Sequence, residues 1–247
     1  MKTVINDGYI RYKDFITGLP ETFAGGGTLL HAGRNTVKSF ITDGTELIVK
    51  RYKRPNIIQS IAYTFFEKSK ARRAYLYAAE LRKRGLNTPH EAAYIELKHN
   101  GLLSDSYFVS AACHLPPLTE QLVRPSFDTR LADALAAYLA GMHAKGVLHG
   151  DTNLGNILYK ANGDGTYEFW LIDTNRSHFR RPTYNDCMEN LKRLTHYRPL
   201  LDYVIRRYAE IRGWNPDDTS ADIMRRISKF EHDKDVRHKI KKRLAKR

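Results

Sequence analysis

The chain has 247 residues, of which 42% are hydrophobic and 28% charged, with 41 Lys and Arg against 27 Asp and Glu for a formal net charge of +14. That apolar share excludes disorder as the main state, and the length admits one large domain or two lobes. The charge excess points to an anionic partner: nucleic acid, an anionic membrane surface or a phosphorylated substrate.

The N-terminal "MKTVINDGYIRYKDFI" lacks the apolar core of a signal peptide, and no apolar run reaches membrane-spanning length, so an intracellular setting is expected. From Thr28 to Tyr52, "TLLH", "VKSFIT" and "ELIVKRY" read as three antiparallel strands, with Gly, Asn and Asp at the breaks supplying turn conformations. Two helical patterns follow. Ile58, Ile61, Ala62 and Phe65 form one stripe, and Ala71, Ala74, Tyr75, Ala78 and Leu81 a second, out of phase with it across a break near "EKSK". Gly85 and Pro89 end the second helix. "EAAYIEL" and "SYFVSAA" then read as strands joined at "HNG".

The prolines of "CHLPPLTEQL" mark a connection, and helices dominate beyond Phe127. A stripe of Leu131, Leu135, Tyr138, Leu139 and Met142 runs to Gly146. A strand-rich first half, 1–112, and a helix-rich second half, 113–247, predict an α+β protein of two lobes with a seam near residues 110–114. Only Cys113 and Cys187 are present, without metal-ligand spacing, which speaks against a disulfide scaffold or a zinc cluster and for a reducing compartment.

"HGDTNLGNILY" follows the striped helix, and "ILYK" and "YEFWLID" flank the turn signal "ANGDGT". A hairpin there would return Asp173 toward Asn156 and Asp151. Phosphoryl transfer needs a held triphosphate, a cation to neutralise its charge and an aligned hydroxyl. Asp173 offers a carboxylate and Asn156 an amide oxygen, a hard-oxygen pair suited to magnesium. Asp151 is left to accept or orient the proton of the acceptor hydroxyl.

Each feature has a plainer reading. Asp173 can be a turn residue, Lys50 a solvated strand residue, and the "GGG" at 25–27 a lead-in to the first strand rather than a phosphate loop. His149 reads as structural. The basic runs "KRYKR", "KSKARR" and the C-terminal "RHKIKKRLAKR" can be solvated faces or a patch facing membrane or substrate. Arg176, Arg180 and Arg181 are candidate contacts to an acidic sugar or lipid phosphates, or ordinary surface arginines.

H-G-D-x-x-x-x-N, a hairpin and an apolar strand ending in Asp resemble the catalytic and metal-binding segments of the protein-kinase-like superfamily. "GRNTVKSF", "VKRYKRP", "KSKARRAY", "RGLNTPHEAAYIE", "HGDTNLGNIL", "LIDTNR" and "ENLKRLT" resemble segments of its lipopolysaccharide core-sugar kinases of the Kdo/WaaP type, over about residues 32 to 196. The resemblance implies a two-lobed kinase fold with an antiparallel N-lobe sheet and a mainly helical C-lobe. It implies ATP and Mg2+, with Lys50 on the nucleotide phosphates, Asn156 and Asp173 on the metal, and Asp151 as the catalytic residue. The acceptor implied is a lipopolysaccharide precursor or lipid A-linked acidic sugar, met by a cytoplasmic enzyme held peripherally at the inner membrane, rather than nucleic acid. A protein or small-molecule kinase, or a pseudokinase binding module, are the alternatives.

Three departures stand out. The first hairpin lacks G-x-G-x-x-G, keeping Gly33 with Arg34 beside it, "DTN" replaces D-F-G, and Asn153 stands two positions after Asp151. The place of the helix Glu that pairs with the strand lysine falls near Ala74, which is apolar, and neither Glu67 nor Glu80 is assigned to it.

Overall fold

The structure is a computed structural model that describes the backbone of residues 1–244 and the side chains of residues 1–233. The basic run at 237–247 lies outside the described side chains. Two compact units divide the chain: Met1–His114 with Trp170–Arg176, and Leu115–Phe169 with Ser177–Arg247.

In the first unit, β1 (Lys2–Ile5), a 3-10 turn (Asp7–Tyr12) and α1 (Lys13–Thr22) precede three strands, β2 (Thr28–Ala32), β3 (Thr36–Thr42) and β4 (Thr45–Arg51). α2 (Ile57–Phe65), α3 (Lys70–Lys83), β5 (Glu91–His99) and β6 (Leu102–Ala111) follow. The strands form one antiparallel sheet in the order β1-β5-β6-β4-β3-β2. Period-two alternation gives β4 two different faces. Leu47 and Val49 enter a core with Tyr12, Ile16, Leu19, Phe23 and Phe40. Tyr52 packs instead with Ala71 and Ala74 of α3, and Lys50 shares its face.

Caps set the helix ends. Ser69 accepts the Arg72 N–H at 3.1 Å to start α3. At its end Gly85 adopts φ +67°, while the N–H groups of Gly85 and Leu86 reach the carbonyls of Arg82 and Leu81 at 2.8 and 3.0 Å. The "GGG" has a packing role. A Cβ on Gly27, whose φ is +71°, would lie 2.7 Å from the Phe40 ring, and Lys38 Nζ donates to the carbonyls of Phe23, Ala24 and Gly26 at 2.7, 3.0 and 2.8 Å.

The second unit contains α4 (Leu118–Leu122), α5 (Thr129–Ala144), β7 (Val147–Leu148), a 3-10 turn (Leu154–Asn156), β8 (Ile157–Ala161) and the start of β9 (Tyr167–Leu171). β10 (His178–Phe179), α6 (Tyr184–Leu191), α7 (Arg198–Ile211) and α8 (Pro216–Leu244) complete it. Asp128 caps α5, whose stripe of Leu131, Leu135, Leu139 and Met142 is buried; α5 packs on α7, and α7 on α8. β8 and β9 pair across a turn in which Asn162 N–H donates to Thr166 O at 2.8 Å.

Residues 170–176, expected in the second lobe, cluster with the first unit. The end of β9 is bonded there: Leu171 N–H donates to Asn87 O at 2.9 Å, and Thr88 Oγ1 donates to Leu171 O at 2.7 Å.

Candidate active site

The first unit brings two of the expected residues together. Lys50 Nζ lies 2.7 Å from Asp173 Oδ1, with the two side chains 17% and 31% exposed, and 5.3 Å from the centroid of the Tyr52 ring. Asn175 Nδ2 donates to the same Asp173 oxygen at 2.5 Å. The clamp of Leu171 on Asn87 and Thr88 fixes the backbone just before this turn. Asp173 itself sits at φ +56°, in the left-handed region that costs an L-residue about 1–2 kcal/mol. Such strain persists where surrounding bonds over-determine the conformation, and here they aim a carboxylate at a lysine.

The missing helix glutamate is also accounted for. Ala74 is buried at the expected position, Glu67 reaches Arg73 at 3.8 Å, and Glu80 reaches Arg84 at 2.7 Å. The carboxylate that Lys50 meets is Asp173.

Lys70, read from sequence as part of a basic surface run, is half-buried at the start of α3. Burial, followed by the charges of Arg34, Arg73 and Arg176, pushes its ammonium below the ordinary lysine range, with Asp173 opposing. A cluster of cations that repel one another in this way favours an anion among them. Beside it the buried Tyr52 phenol is pushed well up, first by burial and then by Asp173. No sequence pattern separates Lys70 from Lys68; the start of α3 at Lys70, with Lys68 left outside the helix and exposed, does. Arg51 and Arg54 of the "KRYKR" run bind the buried Asp105 at 2.8 and 2.7 Å, so their charge is offset locally.

The second unit holds the other two residues. β7 pairs with β10, Leu148 opposite His178, and Gly150 at φ +74° turns the chain into Asp151. The carbonyl of Asp151 accepts from Asn153 N–H at 2.8 Å and from Asn156 Nδ2 at 2.9 Å. That bond commits the Asn156 amide nitrogen to the loop. Among the described residues no cluster of three His, Cys, Asp or Glu could hold a metal ion.

The loop before Asp151 is braced by residues that the sequence did not single out. His143 and Asn190 are buried beneath it. In the amide orientation that satisfies every neighbour, Asn190 Oδ1 accepts from Gly150 N–H at 2.9 Å, and Nδ2 donates to His143 Nε2 at 3.1 Å and Thr152 Oγ1 at 2.7 Å. Burial lowers the His143 pKa to about 4, so the imidazole is neutral, and its Nδ1–H donates to Tyr208 Oη at 2.7 Å. Arg212 Nη1 donates to the same hydroxyl at 2.9 Å. His149, whose carbonyl accepts from Ser177 Oγ at 3.5 Å, is buried. Arg180 is committed to Asp186 at the start of α6, at 2.5 and 2.6 Å, and with Thr183 holds that carboxyl well below the usual range. It is therefore a capping partner rather than a free sugar contact.

A lysine on a central strand facing a D-x-N carboxylate, and an H-G-D-x-x-x-x-N loop below a helix, are parts of a protein-kinase-like fold. The solved structure "WaaP in complex with acyl carrier protein" shares that fold: TM-score 0.63 at 19% identity, covering 93% of this chain and 99% of that one. A second, "Crystal structure of the Rio2 kinase-ADP/Mg2+-phosphoaspartate complex from Chaetomium thermophilum", matches at TM-score 0.48 and 13% identity, covering 87% of this chain and 67% of that one. No curated protein sequence gives a significant match. The sequence profile of the lipopolysaccharide kinase (Kdo/WaaP) family matches residues 32–230, and the chain belongs to that family. It is accordingly a phosphotransferase of the kinase class.

Proposed function

We propose that this chain transfers the γ-phosphoryl group of ATP to a sugar hydroxyl of the lipopolysaccharide inner core, on the Kdo or heptose attached to lipid A. The observation that carries the reading is the Lys50–Asp173 pair, held at 2.7 Å by a strained, clamped turn in a chain that also keeps the HGDTNLGN loop. Lys50 binds the nucleotide phosphates, Lys70 adds a second cation, and Arg34 extends the charge where the glycine loop is degenerate. Asn156 and Asp173 would hold Mg2+, which would neutralise phosphate charge.

Asp151 orients the acceptor hydroxyl and takes its proton. The sugar oxygen forms a new P–O bond, the bond from the γ-phosphorus to the β,γ-bridging oxygen breaks, and ADP leaves with that electron pair. The enzyme works on the cytoplasmic face of the inner membrane and is held there peripherally. A net charge of +14 and an acceptor carried on lipid support this, and no described helix is long and apolar enough to cross a membrane.

The test is incubation with labelled ATP and lipid A precursors bearing or lacking the acidic sugar and heptose, with the product identified by mass. Asp151→Ala should lower transfer by about 10²–10⁴-fold, the usual contribution of a positioned acid or base, with ATP affinity retained. Transfer by that variant at the parent rate removes Asp151 from the mechanism.

A further inference from the structure

α2 is folded inside out. It docks on β6 through its polar side: Ser60 is buried, and Thr64 Oγ1 donates to Ser60 O at 2.6 Å while accepting the Leu103 N–H at 2.9 Å. At about 100° per residue, Ile57, Ile58, Ile61 and Phe65 fall in one arc of roughly 100°, its centre about 90° round the helix from the Ser60 and Thr64 side. Those side chains face outward, with exposures of 65%, 75%, 42% and 68%, and Phe66 just beyond the helix is 83% exposed. Solvation alone does not favour an aliphatic and aromatic face of this kind, and such a patch marks an interaction surface.

The helix is nonetheless firmly specified. Asn56 and Gln59 form a reciprocal capping box that fixes where it starts. The chain around it is cationic. Between residues 53 and 73 lie six Lys or Arg and a single carboxylate, Glu67. Lys53 and Lys68 are exposed at either end of the helix, and the Arg54 side chain is 69% exposed even while bound to Asp105.

We propose that α2 is an in-plane membrane anchor. Its isoleucines and phenylalanines enter the interface of an anionic bilayer, while Lys53 and Lys68 meet the headgroup charge. Short amphipathic helices with an apolar arc and basic flanks bind bilayers in this way, and each cation near an anionic surface adds to the affinity. A second copy of the chain fits less well, since a twofold contact on this face would set the two cationic flanks against each other. The patch is also three isoleucines and two phenylalanines, without the Tyr, Trp and Arg anchors typical of a protein interface. This rests on the reading of the chain as an enzyme of a lipid-borne acceptor, and it names the surface that brings the enzyme to that lipid.

The test uses the full chain and vesicles of phosphatidylglycerol with phosphatidylethanolamine, against vesicles of phosphatidylcholine alone. The parent should co-sediment with the anionic vesicles, and Ile58→Glu/Phe65→Glu should partition at least about tenfold less, because two apolar insertions are lost and two repulsions gained. Its thermal stability and its phosphorylation of an acyl-free core saccharide should match the parent. In a separate variant, Phe66→Trp, the indole introduced beyond the helix should give emission that shifts to the blue and is quenched by brominated lipid when vesicles are added. Equal vesicle binding by parent and double variant, or Phe66→Trp emission unchanged by vesicles, overturns the anchor. So does a double variant that dissolves a dimer, or loses binding to an acyl carrier protein, while still binding vesicles. Failure of the saccharide to be phosphorylated by the parent counts against the kinase reading and leaves the vesicle result to decide the anchor.

Discussion

The Lys50–Asp173 pair and the loop that carries Asp151 are held by opposite kinds of chemistry. The pair is a partly solvated contact between full charges, set in a backbone conformation that costs energy. The loop rests on neutral, buried groups: an imidazole and an amide that each use both donor and acceptor, and a phenol that accepts two hydrogen bonds. Ionic contacts at 17% and 31% exposure are soft, and an incoming phosphate or cation can re-pair either partner. A satisfied neutral network is stiff, because any shift leaves a buried polar group unpaired. The difference suits the two proposed tasks. The groups that hold a nucleotide must exchange partners, whereas the groups that aim a hydroxyl must not move.

The sharpest way to break the comparison is Asp173→Gly. Glycine relieves the left-handed strain while deleting the carboxylate, so phosphoryl transfer should fall by about 10³-fold and stability should stay within about 1 kcal/mol of the parent. A variant that unfolds at ambient temperature would mean that the turn, rather than its charge, is what the protein needs. Asn190→Ala should act in the opposite sense. It strips the Gly150 N–H and His143 Nε2 of their partner, so stability should drop by about 2 kcal/mol. Turnover should fall by about 10-fold to 100-fold as the loop loosens, with the KM for ATP unchanged because Asn190 does not touch the Lys50 pair. An increase in that KM equal to the loss in kcat would show that the two regions are not independent.

What was legible in sequence was short-ranged. Strands at Thr36–Thr42 and Thr45–Arg51, the break between Phe65 and Lys70, the turn at Asn162–Thr166 and the H-G-D-x-x-x-x-N loop each lie within a window where periodicity and turn chemistry decide. The N-terminal strand and α1 were not legible. Gly18 and Pro20 disfavour a helix, and α1 forms because Ile16, Leu19 and the adjoining Phe23 bury against Phe40, well beyond any local window. For α2, periodicity gave the arc but not its direction, since an apolar stripe says nothing about which side a helix docks with. Asn190 was invisible for a related reason. It lies 38 residues from Thr152, in a segment whose pattern reports only a helix.

The smallest expected effect probes the neutral region by pH. His143 has its pKa lowered to about 4, first by burial and also by the charge of Arg212. The unfolded chain therefore takes up a proton near the ordinary histidine value while the folded chain does not, and stability must fall as pH falls through that interval. From about pH 7 to about pH 5.5 the loss from this one group is about 1 kcal/mol, and it levels off once the pH drops below the folded pKa. His143→Gln keeps a donor and an acceptor but cannot titrate, so its urea midpoint should decline less than the parent's over the same interval. A variant midpoint that declined more than the parent's over this interval would mean that the imidazole is charged at neutral pH. The loop before Asp151 would then rest on a buried cation beside Arg212 and share the electrostatic softness of the Lys50 pair.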